Sequence, residues 1–200
     1  MVLYERVSFT HPCPIPMVQM HYTRYVWALR YCAGVEVLDA GCGVGYGSDL
    51  IGVVAGGIVG VDISEDAIME ARARFSHPTF VCCPLESYRE QDFGRAFDTI
   101  VAFEFLEHVE DMSLVLGELR LLLREGGKLL LSLPLYQGHN PYHHGRHYGV
   151  DEWRAVVVPH FQVRTFWHQP IESLDGGNVC VTPLRPTAHP KDGIMLAECY

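Results

Sequence analysis

The sequence predicts an α/β protein, a doubly wound and mostly parallel sheet with helices on both faces. Three observations carry this prediction. Short apolar segments alternate with helical patterns along the chain. The run Val37-Leu38-Asp39-Ala40-Gly41-Cys42-Gly43-Val44-Gly45-Tyr46-Gly47-Ser48 reads as a buried strand that stops at a carboxylate and turns on glycines into a helix. A second apolar strand, Ile58-Val59-Gly60-Val61, ends on Asp62. Glycine permits positive φ and close approach of the backbone to a ligand, and the helix start offers unpaired N–H groups. The pattern therefore makes a nucleotide-type site at the carboxyl end of a strand. An acid placed like Asp62 takes both ribose hydroxyls.

In chain order, residues 1–18 show little periodicity and read as an arm packed on the domain. Tyr22, Tyr25, Val26, Leu29 and Cys32 recur at helical spacing, which predicts a first helix with that face buried. Strands are predicted over 35–40, 58–62, 79–83, 97–103, 128–133 and 161–168. Helices are predicted over 48–54, 64–75, 111–123 and 151–158. Ser64 is a good N-cap, with Glu65 and Asp66 favouring the first turn. Beyond Pro170, residues 179–181 and 194–199 both read as strand.

The 200 residues are most simply one domain, and 48% hydrophobic content supplies a substantial core. Within it we delimit an arm (1–18), a core (19–135), a His-rich loop (136–150) and a C-terminal helix with strands (151–200). A net charge of −9 argues against a polyanionic partner such as nucleic acid. No apolar run reaches the length of a membrane span. Residues 1–16 lack the basic-then-apolar order of a signal peptide. The seven cysteines show no CxxC spacing, so they read as buried reduced thiols of a cytoplasmic protein.

The choice of cofactor rests on the glycines. Counted from Gly41, the dinucleotide fingerprint falls on Gly41, Gly43 and Tyr46, so its third glycine is missing; counted from Gly43 it falls on Gly43, Gly45 and Ser48. Asp39 to Gly47 instead resembles motif I of the class I methyltransferases, which bind S-adenosylmethionine. Arg24-Tyr25 ahead of it, residues 97–109 with their Glu107-His108-Val109 ending, and Leu123 to Lys128 resemble further family segments. Asn140-Pro141-Tyr142-His143, Tyr148, Glu152-Trp153 and Phe161 resemble the lid and sixth-strand approach of the ubiquinone-biosynthesis-like and sugar-modifying branches. The resemblance spans roughly residues 20–170. It implies a Rossmann-like sheet of seven strands, the last antiparallel.

The resemblance also implies site residues. Gly41, Gly43 and Gly45 would line the methionine part of the cofactor and Asp62 would take its ribose, with Cys42, Tyr46 and Ile63 also among the cofactor-binding residues. Asp39 either holds the loop or reaches the cofactor amino group through water. Phe103 and Glu104 would flank the methionine part, and Arg24 would pair with its carboxylate or stand as a solvated surface arginine. The family often has an acid after the third strand for the adenine amino group; here that place holds Pro84, leaving the Leu85 N–H and the Glu86 carboxylate.

An oxygen acceptor must lose a proton near neutral pH, for which histidine is the natural base. His108 stands just past the fourth strand, as a base, an orienter or a helix-start residue. His139, His143, His144 and His147 crowd the loop after the fifth strand, where a substrate lid, a solvated loop and a metal site are the readings; His143 and His144 are its candidate bases, and no metal is assigned. The expectation is an S-adenosylmethionine-dependent O-methyltransferase of a small polar molecule or glycan, releasing S-adenosylhomocysteine. The alternatives are a non-catalytic cofactor- or partner-binding module and a nicotinamide dehydrogenase. The acceptor and the oligomeric state are not legible.

Overall fold

The computed structural model describes residues 15–89, 96–136, 149–169, 182–183 and 192–200. Helix α1 (Ile15–Cys32) leads into β1 (Glu36–Ala40), α2 (Tyr46–Gly52), β2 (Gly57–Asp62), α3 (Glu65–Arg74) and β3 (Thr79–Cys82). Next come β4 (Phe97–Phe103), α4 (Met112–Leu122), β5 (Leu123–Tyr136), α5 (Val150–Val157), β6 (Val163–Gln169), β7 (Thr182–Pro183) and β8 (Asp192–Cys199). The strand order is β3-β2-β1-β4-β5-β8-β6-β7. The first five strands are parallel, and β8 runs antiparallel between β5 and β6. The predicted sheet is thus present with its antiparallel last strand, and the two-residue β7 adds an eighth member at the edge.

Alternation along the strands explains the layers. Val37, Val101, Phe103, Leu130 and Leu196 pack against α1 and α2. Leu38, Ile100, Leu129, Leu131 and Ala197 pack on the other face against α4 and α5. Burial on both faces is why these strands read as apolar runs. Asp111 caps α4 by accepting from the Leu114 N–H at 3.0 Å, and Ser64 caps α3 by accepting from Ala67 at 3.3 Å. Trp153 ties α5 to the sheet by donating to the Pro134 carbonyl at 2.9 Å.

Two expectations need correction. The buried face of α1 includes the expected Tyr25 and Cys32, with Leu29 packed against the core, but Tyr22 and Val26 are exposed and Arg24, Trp27 and Ala28 are buried in their stead. The helix is turned so that Arg24 and Trp27 meet the sheet, because each finds partners there. Cys82 is exposed, unlike the buried Cys32, Cys42, Cys83 and Cys199. The strand expected at 179–181 and the His-rich loop lie outside the described residues. No described helix is long and apolar enough to cross a membrane.

The chain winds from β1 outward to β3 and then returns to place β4 on the other side of β1. Ligands of open α/β sheets bind outside the carboxyl ends of strands at such a reversal. Motif I follows β1, and Glu104 to His108 follow β4, so both border that crevice.

Candidate functional site

Between β1 and α2 the glycine loop turns on positive φ at Gly41 (74°), Gly43 (54°) and Gly45 (82°). At Gly45 an added Cβ would stand 2.6 Å from the Phe80 ring and 2.8 Å from Ala71, so only glycine lets the loop settle there. At Gly43 it would meet nothing within 4 Å. That crest of the loop faces open space, where a ligand can approach the backbone. Cys42 turns its side chain inward against Ile68, Ala71 and Phe80, and burial pushes its thiol pKa up.

Asp39 is fully buried. Its Oδ1 accepts from the Tyr25 hydroxyl at 3.2 Å and its Oδ2 from the Ser48 hydroxyl at 2.6 Å. Those bonds fasten α1 and α2 to the end of β1, which is the loop-holding arrangement. Burial raises the Asp39 pKa to about 7, against the lowering effect of the Ser48 and Tyr25 hydrogen bonds. The unfolded chain ionises this group near 4, so between about pH 4 and 7 the native state holds the extra proton and stability falls as pH rises. We expect a loss of about 1 kcal/mol per pH unit across that window from this group. Urea unfolding of Asp39→Asn, compared with the unmodified chain from pH 5 to 8, should show a shallower slope. An unchanged slope would refute the assignment.

Asp62 is held at both oxygens. The Gly43 N–H donates to Oδ2 and the Ser64 N–H to Oδ1, each at 2.8 Å. A carboxylate has about four lone-pair sites, so two donors leave acceptor capacity beside the loop crest. Next to it Ile63 exposes 71% of its surface, an apolar shelf at the rim. Cys83 donates its N–H to the Asp62 carbonyl at 3.1 Å, which continues the wall past β3. Pro84 then opens a 3-10 turn over Leu85–Ser87. Leu85 is buried. Glu86 lines a cleft of about 760 Å³ shared with Glu110, Met112, Val156 and His160, between that turn, α4 and α5.

At the other end of the crevice Arg24 is 1% exposed, not the solvated arginine that was one sequence reading. Its Nη1 donates to the Gln169 Oε1 at 2.9 Å. Its Nε and Nη2 have no hydrogen-bond partner among the described residues. Orphaned donors on a buried cation are costly and fit an anionic group. Tyr46, at the first turn of α2, lies in the field of Arg24 and Glu104. Its hydroxyl is 2.8 Å from Nδ1 of the half-buried His21, a histidine that burial first, and then Arg24, drives toward its neutral form. Phe103 is buried and packs edge-on against Tyr25 at 5.2 Å between ring centres.

Just past β4, Glu104 adopts φ 51°, unusual for a residue with a Cβ. Ser132 on β5 holds it there: the Ser132 Oγ accepts from the Glu104 N–H and donates to Oε1, both at 2.9 Å. Backbone strain of this kind gathers at functional sites. Glu107 is buried, and neither carboxylate oxygen has a hydrogen-bond partner among the described residues. Burial, then the nearby Glu104, raises its pKa well above the usual carboxylate range. His108 is on the same 3-10 turn, with Nε2 3.9 Å from Glu107 Oε1 and its side chain 40% exposed. His143 and His144 lie outside the described residues.

The structure thus gathers Asp39, the glycine loop, Tyr46, Asp62 and Ile63 around one loop, and Arg24, Glu104 and His108 at the neighbouring strand ends. Sequence reasoning passed over His21, Ser48, Glu107, Ser132 and Gln169. Ser48 and Glu107 carried a signal, since each stands within a quoted motif. Gln169 carried none, because its partner lies 145 residues away.

Residues 38–129 match the family described as "Methyltransferase domain". A probable S-adenosylmethionine-dependent methyltransferase of Mycolicibacterium smegmatis is 35% identical over 119 residues, covering 57% of this chain and 44% of that protein. A ubiquinone biosynthesis O-methyltransferase of Bradyrhizobium sp. is 31% identical over 115 residues, covering 56% of this chain and 44% of that protein. The chain therefore spans about half the length of the curated relatives it matches. Among solved structures, the N-methyltransferase NodS of Bradyrhizobium japonicum in complex with S-adenosyl-L-homocysteine superposes with a TM-score of 0.65 at 17% identity, over 90% of this chain and 86% of that one.

Proposed function

We propose that this chain, whose residues 38–129 match a methyltransferase domain, is a class I S-adenosylmethionine-dependent methyltransferase that methylates an oxygen of a small polar molecule or glycan. The observation that carries the cofactor reading is Arg24: a buried guanidinium with two orphaned donors, at the strand ends that also bear the glycine loop and Asp62. In this reading Arg24 takes the cofactor carboxylate, and Asp62 accepts from the ribose hydroxyls. Ile63 supports the adenine, and the Leu85 N–H donates to its ring. Pro84 has no side-chain acceptor for the adenine amino group, and Glu86 faces the cleft beside α4 and α5. The crest at Gly43 lets the methionine part lie against the backbone.

The sulfonium supplies an already activated methyl group. The protein then has to align the acceptor in line with it and remove the acceptor's proton. In this reading His108, just past the end of β4, takes that proton. Beside it Glu107 is buried, its carboxyl raised toward the protonated form by burial and then by Glu104. A non-catalytic binding module remains the second reading, favoured by Pro84 in the adenine pocket.

Calorimetric titration with S-adenosylhomocysteine, with NADH as comparator, tests the cofactor. One micromolar site per chain for the first and none for the second is expected; no binding of S-adenosylhomocysteine would end the proposal. Methyl transfer from labelled S-adenosylmethionine across a panel of hydroxyl and amine acceptors then separates enzyme from binding module, and oxygen from nitrogen.

A further inference from the structure

We infer that Gln169 is a positioning residue of the cofactor site, acting through Arg24; the inference rests on the cofactor reading above. Gln169 closes β6, and its side chain is wholly buried. Its amide works in both directions. Oε1 accepts from Arg24 Nη1 at 2.9 Å, and Nε2 donates to the Met20 carbonyl at 3.0 Å. Both partners belong to α1. The second bond anchors the amide, so the first holds the guanidinium at one corner.

A planar guanidinium held at one nitrogen has its remaining donors fixed in direction. The bonded corner is Nη1; the Nε and Nη2 donors are the ones left over, and neither has a partner among the described residues. Nε and one Nη form the fork that meets a carboxylate with two parallel hydrogen bonds. Gln169 thus occupies the nitrogen that this fork does not need, and presents the fork ready-made. A neutral amide suits the task. It satisfies one donor without neutralising the cation, so the charge stays available to the incoming anion.

The inference extends the site beyond the matched methyltransferase segment. That match ends at residue 129, whereas Gln169 is on a strand 40 residues further on, paired to the sheet through β8. The segment after α5 therefore supports the grip that Arg24 takes on the amino-acid end of the cofactor, while Asp62 and Leu85 grip the nucleoside end.

Two ligands divide these ends. S-adenosylhomocysteine has the amino-acid part; 5′-methylthioadenosine keeps the nucleoside and thioether and lacks it. Titrating both into the full chain, Gln169→Leu should weaken S-adenosylhomocysteine by about 10- to 100-fold and leave 5′-methylthioadenosine within about twofold. Gln169→Glu should show the same selective loss, because its carboxylate pairs with Arg24 and competes for the cation. In an Arg24→Met background, Gln169→Leu should add nothing further, since the route through Arg24 is gone. Equal loss of both ligands would mean that Gln169 only supports the fold, and would overturn the inference. So would unchanged S-adenosylhomocysteine affinity in both Gln169 variants. If the unmodified chain binds no S-adenosylhomocysteine, the cofactor reading itself falls; if it binds and the variants bind equally, Gln169 alone is refuted.

Discussion

Asp62→Ala is expected to weaken S-adenosylhomocysteine binding by at least about 100-fold while leaving the chain folded. The carboxylate is held by the Gly43 and Ser64 N–H groups, both at 2.8 Å, so it is oriented before any ligand arrives. Two ribose hydroxyls donating to it would make charge-assisted bonds worth about 1.5–3 kcal/mol each. Losing both exceeds a factor of 100 even at the low end, since about 1.4 kcal/mol is tenfold. The stability cost is smaller. Asp62 is only half-buried, and water can reach the donors it releases, so about 1 kcal/mol is expected. Asp62→Asn keeps one acceptor oxygen and should fall between the two. Calorimetry beside urea unfolding separates binding from folding. Affinity in Asp62→Ala within about threefold of the unmodified chain would remove Asp62 from the site.

The sheet was legible because its strands are buried on both faces. Phe97–Phe103 was placed to the residue, since it is apolar apart from Asp98 and Thr99 and stops at Glu104. The fifth strand was read too short. Its regular pairing with β4 begins at Lys128 after Gly126 turns with φ 74°, as the glycines suggest, but it runs on past residue 133 to Tyr136. The buried face of α1 was read only in part, since Tyr25, Leu29 and Cys32 pack inward whereas Tyr22 and Val26 do not, and the reason is different. Amphipathic reading sends arginine to water, and Arg24 is buried because Gln169, 145 residues later, satisfies part of it. Local patterns cannot carry such a pairing.

The same division runs through the site. The positive-φ glycine turn and the Ser64 cap are made by neighbours in sequence, and both were readable. Glu104 was quoted for its place after the fourth strand, but its left-handed backbone was not foreseen, since it depends on Ser132 from the next strand. Asp39 was quoted for its place at the end of the first strand, but the Tyr25 and Ser48 hydroxyls that share its carboxylate were not foreseen. What was missed is therefore mainly what tertiary contact creates: orientation, burial and strain.

Two alanine substitutions two residues apart should separate folding from binding. Gly45→Ala is expected to destabilise the chain by about 2–5 kcal/mol. Its φ of 82° costs a Cβ-bearing residue about 1–2 kcal/mol, and its Cβ would collide with Phe80 at 2.6 Å and Ala71 at 2.8 Å. Both obstacles belong to packed elements, β3 and α3, so relief requires moving the loop off them. Overpacking of this kind costs about 1–3 kcal/mol more. Gly43→Ala carries the positive φ of 54° but no collision within 4 Å, so about 1 kcal/mol is expected. Its methyl group would instead stand on the open crest, where the methionine part of the cofactor is proposed to lie. Gly43→Ala should therefore fold and lose S-adenosylhomocysteine by more than about tenfold. Urea unfolding of the two variants, with titration of the stable one, makes the comparison. Equal stabilities would show that the loop does not rest on Phe80. Unmodified affinity in Gly43→Ala would mean that the ligand does not pass over the crest, and the glycines would then serve the turn alone.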